Sequence, residues 1–275
     1  MTHRERREYL LTELLKEKPE IIRERYPNDL SGNRMLLRAL MNIRRPAELS
    51  KDFIRVQNAY LKEEIRRKGI TRFETLTPIR GSLYLWRGDI TTLKCDAIVN
   101  AANLLLLGCF KPNHECIDNA VHTYAGLELR NYCAELMKRR GGVVNTGEAV
   151  LTPSFNLPCK YIIHTVGPWV QKGIMTDKLR KELANCYRAC LKIADIKHFK
   201  SIAFCCISTG MYYFPNEEAA EIAVKTVEEY LKETGSKVEV VFNVFKKADY
   251  EIYKKILTGE SGERKAENPS VENKF

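Results

Sequence analysis

The sequence predicts an α/β layered fold preceded by a small helical region. Two observations carry that expectation. From about residue 81 onward, short apolar runs of strand length alternate with amphipathic stretches of helix length, and strands alternating with helices bury their apolar faces by stacking as layers. Before that point the apolar residues recur only at helical spacing.

Between Arg4 and Lys68 three helices are expected. Tyr9, Leu10, Leu14 and Leu15 mark the first, Leu36, Leu37, Leu40 and Met41 the second, and Phe53, Val56, Tyr60 and Leu61 the third. Pro27 with Asn28 and Asp29, and later Pro46, separate them, because proline lacks a backbone N–H and does not continue a helix. Residues 1–75 therefore read as a helical N-terminal region, and Gly69 to Gly81, with Pro78, as a linker.

Residues 76–258 hold the alternating part. Strands are expected at Leu83 to Trp86, Ala97 to Val99, Glu148 to Leu151, Tyr161 to Val166, Ser201 to Cys206 and Val238 to Val244. Helices are expected at Ile117 to Lys138, Lys178 to Ala194, Glu217 to Leu231 and near Tyr250 to Leu257. Ligands in such folds sit in loops at the carboxyl ends of the strands. Residues 259–275, rich in Glu, Lys, Ser, Gly and Asn, have little to bury and read as a disordered tail.

Composition narrows the function. With 44% hydrophobic residues the chain can bury a substantial core, while the lack of any apolar run of about 18 residues argues against a membrane span. The charged N-terminus does not resemble a secretion signal, and a cytoplasmic location is expected. Nine cysteines, an odd number, suit a reducing compartment where thiols stay free or bind metal. The net charge of +10 favours anionic partners. Residues 1–75 hold 18 basic and 12 acidic side chains, and their aromatics are not interleaved with the basic residues in a stacking pattern, which reads as a solvated helical surface and makes nucleic acid an unexpected partner.

Three segments carry chemistry. Cys109, His114 and Cys116 place two thiols and an imidazole within eight positions. Such donors suit Zn²⁺ and fill three of its four positions, leaving open the one a catalytic zinc uses for water or substrate. On spacing alone, the alternative is small buried hydrophobes around a satisfied histidine. The string GDIT at 88–91 followed by DAIVNAAN at 96–103 offers an aspartate able to accept from an exocyclic amine and asparagines able to bond sugar hydroxyls, or else local turn chemistry. The loop from Ile207 to Asn216 lies between an expected strand and an expected helix, where free backbone N–H groups favour a diphosphate. It lacks the lysine of a triphosphate-binding loop. An ordinary turn that uses Gly210 is the alternative.

Taken together, GDIT, DAIVNAAN, IDNAVH, YIIHTVGP and the ISTG loop before a helix resemble the macrodomain family, which binds ADP-ribose. The stretch GCFKPNHEC, the FCCISTG strand and loop, and the N-terminal RALMNIRRP helix resemble its zinc-dependent branch, whose microbial enzymes remove mono-ADP-ribose from proteins. The resemblance implies a three-layer α/β/α macrodomain with a mixed central sheet.

By that resemblance Asp89 reads the adenine amino group with Ile90 beside it, and Asn103 sits at the distal ribose. Ser208, Thr209, Gly210, Met211 and Tyr212 surround the diphosphate. Cys109, His114 and Cys116 are the zinc ligands, and Asp118 is the acid that orients or deprotonates water. Asn243 and Phe245, placed after the last strand, border the adenine. His164 and His122 read as structural, and Cys205 and Cys206 as core thiols. Two departures stand out: Leu104 and Leu105 make the ribose end more apolar than usual, and Tyr212 stands where a phenylalanine is customary. The implied activity is hydrolysis of the bond at ribose C1″ of a mono-ADP-ribosylated protein, by analogy a lipoate-related carrier. A non-catalytic ADP-ribose reader with a structural zinc is the competing reading, and nucleic-acid binding by the basic helices a third.

Overall fold

The computed structural model describes residues 1–18, 25–171 and 173–259; the expectation of a disordered tail otherwise lies outside them. Three helices open the chain: α1 (His3–Glu17), α2 (Leu30–Ile43) and α3 (Lys51–Lys68). Thr2, Asp29 and Ser50 cap them, each side chain accepting from a first-turn backbone N–H that would otherwise lack a partner. Leu10, Leu14, Leu36, Leu37, Leu40, Phe53, Tyr60 and Leu61 form one apolar cluster, which also takes in Leu127.

The expected linker contains structure. β1 (Thr71–Arg72) pairs in parallel with β4 (Leu93–Lys94), and β2 (Pro78–Arg80) forms an edge strand against β3 (Leu83–Arg87). Pro78 is tolerated because an edge strand leaves one side of its backbone unpaired. The remaining strands are β5 (Ala97–Ala101), β6 (Ala149–Pro153), β7 (Tyr161–Thr165), β8 (Ser201–Phe204) and β9 (Glu239–Val244).

Seven strands form one mixed sheet in the order β2-β3-β9-β8-β5-β7-β6. Its edge pairs are antiparallel and its interior pairs parallel. Interior strands buried on both faces read as nearly continuous apolar runs, as Ala97, Ile98 and Val99 do. Helices α4 (Ile117–Ala125), α5 (Leu127–Arg140), α6 (Asp177–Ile196), α7 (Asn216–Thr234) and α8 (Lys247–Thr258) flank the sheet.

The single helix expected from Ile117 to Lys138 is two. Gly126 breaks it with φ +99°, and a Cβ there would come within 2.8 Å of the Gln57 amide. The bundle packs against the layered part at this break, where Gln57 accepts from the Leu127 N–H at 3.0 Å. None of the described helices is long and apolar enough to cross a membrane.

Candidate active site

The carboxyl ends of β5 and β8 and the amino end of α4 bring the expected residues together. Register does the first step. Asn100 on β5 pairs with His164 on β7, and His164 with Val150 on β6, so Asn100, His164 and Thr152 share one face. Asn100 Nδ2 donates to Asp118 Oδ1 at 2.8 Å and lies 3.1 Å from His164 Nδ1, while His164 Nε2 lies 3.0 Å from Thr152 Oγ1. Burial pushes His164 down to about 3. The ring is therefore neutral, accepts from Asn100 at Nδ1 and donates to Thr152 at Nε2.

Asp118 sits in the first turn of α4. Asn103 Nδ2 donates to its second oxygen at 3.2 Å and to the Gly108 carbonyl at 2.9 Å. Burial pushes Asp118 up to about 6, against the stabilising hydrogen bond from Asn100 and the nearby Arg130. A carboxyl group in this range is ionised at neutral pH yet remains basic enough to take a proton from water. His122, one turn on, is buried neutral with Nε2 3.6 Å from Asp118. Gly108, at φ +78°, is required beside it, since a Cβ would fall 2.7 Å from the imidazole.

The metal-type cluster forms as the spacing suggested. The donor atoms of Cys109, His114 and Cys116 all lie within 4.8 Å of one another. Zinc–sulfur bonds of about 2.3 Å in a tetrahedral site place neighbouring sulfurs about 3.8 Å apart, so the donor set and its dimensions fit one metal ion. Cys116 caps α4, its Sγ accepting from Asn119 N at 3.4 Å, a position where the helix dipole favours thiolate. A hydrogen bond from Cys116, with help from His114, holds the Cys109 thiol well below its ordinary range, and the same bond pushes Cys116 up.

Farther along the carboxyl edge of the sheet, after β3, Asp89 caps a single turn over Ile90–Thr92. Its Oδ1 accepts from the Thr91 N–H at 2.9 Å and its Oδ2 pairs with Lys68 at 2.7 Å. Burial raises its pKa, but Lys68 and Thr91 outweigh this and hold the carboxylate below its usual value. Lys68 also lies 3.3 Å from the centre of the Tyr124 ring. Ile90 is buried beside Asp89.

Between these two positions in the strand order lies the loop after β8. Ser208 adopts φ +66° and Tyr213 φ +57°, left-handed conformations that cost a non-glycine residue energy and cluster at binding sites. The Phe214 N–H bonds the Ser208 carbonyl, and the Tyr212 carbonyl accepts from Val170, which closes the loop. Among the described residues, no protein acceptor pairs with the backbone N–H groups of Ser208, Thr209, Gly210, Met211 or Tyr212. Two acids, Glu217 and Glu218, occupy the first turn of α7 and offset its positive end, so the loop amides, more than the helix dipole, are the groups that could hold an anion here. Gly167 lets the next loop approach, since a Cβ there would lie 2.1 Å from Ser208 Oγ.

Macrodomains are the family whose profile, described as "Macro domain", matches residues 99–223. A protein-ADP-ribose hydrolase of Treponema medium is 50% identical over 94% of this chain and its own full length. The chain belongs to the macrodomain family. A protein-ADP-ribose hydrolase of Staphylococcus aureus (strain MRSA252) is 46% identical over 92% of this chain and 95% of its own. Among solved structures, the Trypanosoma brucei macrodomain in complex with ADP-ribose matches with TM-score 0.62 and 30% identity, covering 77% of this chain and 92% of that one. The Oceanobacillus iheyensis macrodomain with ADP matches with TM-score 0.59 and 39% identity, over 68% and 95%.

One expected residue sits differently from the sequence reading. Asn243 lies inside β9 and is buried, its amide donating to the Trp86 and Gly88 carbonyls; it braces the Asp89 loop from below. Phe245 lies just beyond β9, after the last strand as expected, and is 76% exposed. Cys205 is a core thiol, while Cys206 is partly buried. Asn100, Lys68 and Arg130 were not singled out from sequence. Asn100 had a signal in its string, but Lys68 and Arg130 looked like ordinary helix-surface charges.

Proposed function

We propose that this macrodomain is a protein-ADP-ribose hydrolase that cleaves the bond at ribose C1″ of mono-ADP-ribosylated protein, with zinc held by Cys109, His114 and Cys116. One observation carries the reading: a buried carboxylate, Asp118, lies two residues beyond Cys116 in the same helical turn and is fixed by Asn100 and Asn103. When bound, zinc supplies a Lewis acid with an open position able to polarise a coordinated oxygen, blunted by the charge of two thiolates.

The chain's own residues do the rest. Asp118 orients the attacking water and, ionised above about pH 6, accepts its proton as the C1″ bond breaks. Asn103 fixes the distal ribose with the acceptor capacity left on its Oδ1. The amides from Ser208 to Tyr212 hold the diphosphate, and Asp89 receives the adenine amino group beside Ile90. Holding the two ends of the ligand so far apart along one cleft leaves C1″ little freedom, which lowers the entropic part of the barrier. The names of the Treponema and Staphylococcus relatives support the activity, and the ADP-ribose complex of the Trypanosoma structure supports the ligand. A lipoate-related carrier is the acceptor protein this reading favours.

The test is release of ADP-ribose from a mono-ADP-ribosylated protein by the purified chain, stripped of metal and then reloaded with zinc. Release that disappears with the metal and returns on reloading is expected. Tight ADP-ribose binding without release, at one zinc per chain, would replace the hydrolase with a reader.

A further inference from the structure

The sequence leaves the role of the N-terminal helices open, and in the fold α2 reaches the metal-type loop at several points. Arg38 is the main one. Its Nη2 donates to the His114 carbonyl at 3.1 Å and to Asn119 Oδ1 at 2.8 Å, and its Nε donates to the same oxygen at 3.2 Å. Asn119 is fully buried. Its Nδ2 lies 3.4 Å from the Cys109 carbonyl and 3.1 Å from the Lys111 carbonyl, and its backbone N–H points at Cys116 Sγ. Arg38 and Asn119 together therefore touch all three residues of the cluster.

We infer that Arg38 of α2 and Asn119 of α4 form a clamp that positions the Cys109, His114 and Cys116 donors, so that the N-terminal helices are part of the metal site. The inference rests on the metal reading above. Each end of the clamp has a reason to be what it is. A guanidinium fork can bond a side-chain oxygen and a carbonyl at once, whereas a lysine supplies one compact charge. An asparagine offers one acceptor and two donors; here the acceptor faces Arg38 and the donors face the loop carbonyls.

Two further ties fix the same loop to α2. Asn42 accepts from the Asn113 N–H at 3.0 Å and donates to Thr123 at 2.9 Å, holding Asn113 in its left-handed conformation. Arg130 donates to the Leu107 carbonyl and, through Nη1, to the Met41 and Arg44 carbonyls. Partners of ligand residues orient the donor atoms and reduce the entropy lost when a metal closes the site; their removal typically weakens metal binding about 10–100-fold. Arg38 is a positioning residue in this account, since it acts through the His114 carbonyl and Asn119 and supplies no donor atom to the metal, the substrate or the reacting atoms.

The experiment measures Zn²⁺ and Co²⁺ binding by the full chain, with a chromophoric chelator as competitor, for wild type, Arg38→Met and Arg38→Lys. Thermal unfolding of the metal-free proteins is recorded beside it. Met keeps the stem without donors and is expected to weaken Zn²⁺ binding about 10–100-fold and to alter the cobalt–thiolate absorption band. Lys, with one donor, is expected to fall between Met and wild type. Should the Met variant fail to fold, the Lys variant decides. Wild-type affinity and an unchanged cobalt band in the folded variants, with at most a lowered Tm, would show a mere brace and overturn the clamp. Wild type that takes up neither metal would overturn the metal reading itself, and the clamp with it.

Discussion

Replacing Asn100 with Asp exchanges one nitrogen for one oxygen and leaves shape almost untouched. In the wild type that nitrogen donates to Asp118 at 2.8 Å. In Asn100→Asp the donor is lost and two carboxyl groups meet, their charges centred about 4 Å apart and interacting by about 4 kcal/mol at an effective dielectric constant near 20. That equals about three pKa units. Asp118 already stands at about 6 because of burial, so the pair is expected to keep its shared proton until about pH 9.

Two readouts follow from that shift. ADP-ribose release by the variant should be about twofold or more slower at pH 7.5, where the shared proton spends part of its time on Asp118, and recover as pH rises toward 9 and that proton is lost. Stability moves the opposite way. A carboxyl group whose folded pKa is raised stabilises the fold below its unfolded value and loses that contribution as pH rises through the folded pKa. Urea unfolding should therefore show the variant about 4 kcal/mol less stable than wild type by pH 9, with the gap closing below pH 6. An acid limb of activity that coincides with wild type, at full rate near pH 7, would refute the reasoning that Asn100 sets the ionisation of Asp118.

Other perturbations test other parts of the cleft. Cys116→Ala should lose bound zinc and turnover together, read by metal analysis and ADP-ribose release on the same sample; turnover retained in demonstrably zinc-free variant would remove the metal from the mechanism. Gly167→Ala should push Ser208 out of place, since its Cβ would meet Ser208 Oγ and the buried Ile207, lowering Tm and weakening ADP-ribose binding in calorimetry; unchanged affinity in the folded variant would take the Ser208 loop out of the cradle. Asp96→Asn probes the fold away from the site. The Asp96 carboxylate pairs with Lys160 and accepts from the Lys200 and Ser201 N–H groups; burial raises its pKa, but these bonds outweigh it and hold it low. Its contribution is present above the unfolded pKa of about 3.9 and lost as pH falls through the lower folded value. The variant should be about 1–3 kcal/mol less stable at pH 7, and an equal deficit at pH 2 would contradict this.

The cradle and the metal-type cluster were legible for a simple reason. Asn103, Cys109, His114, Cys116 and Asp118 lie within 16 consecutive positions, and Ser208 to Tyr212 form one loop, so local chain geometry keeps each group together in almost any fold. Periodicity likewise located the helices and most strands, because burial on one face imposes its period on the apolar residues. Where the reading erred, the cause was local too small to see. The strand at Thr71–Arg72 is two residues long, and the break at Gly126 depends on Gln57 pressing against it from α3.

By itself the sequence determined the alternation of strands and helices, the family, and which residue types can carry the chemistry. Only the tertiary structure decided how those residues are tuned. Asn100 meets His164 because β5 and β7 pair in one register, Asp118 is pushed toward neutral pH because the folded layers exclude water from it, and Lys68 reaches Asp89 across 21 positions. Arg38 meets the Cys-His-Cys loop across 76 positions. Such pairings leave no periodic trace, since hydrogen bonds depend on the final approach of two surfaces, whereas the apolar pattern that drives those surfaces together is written along each element.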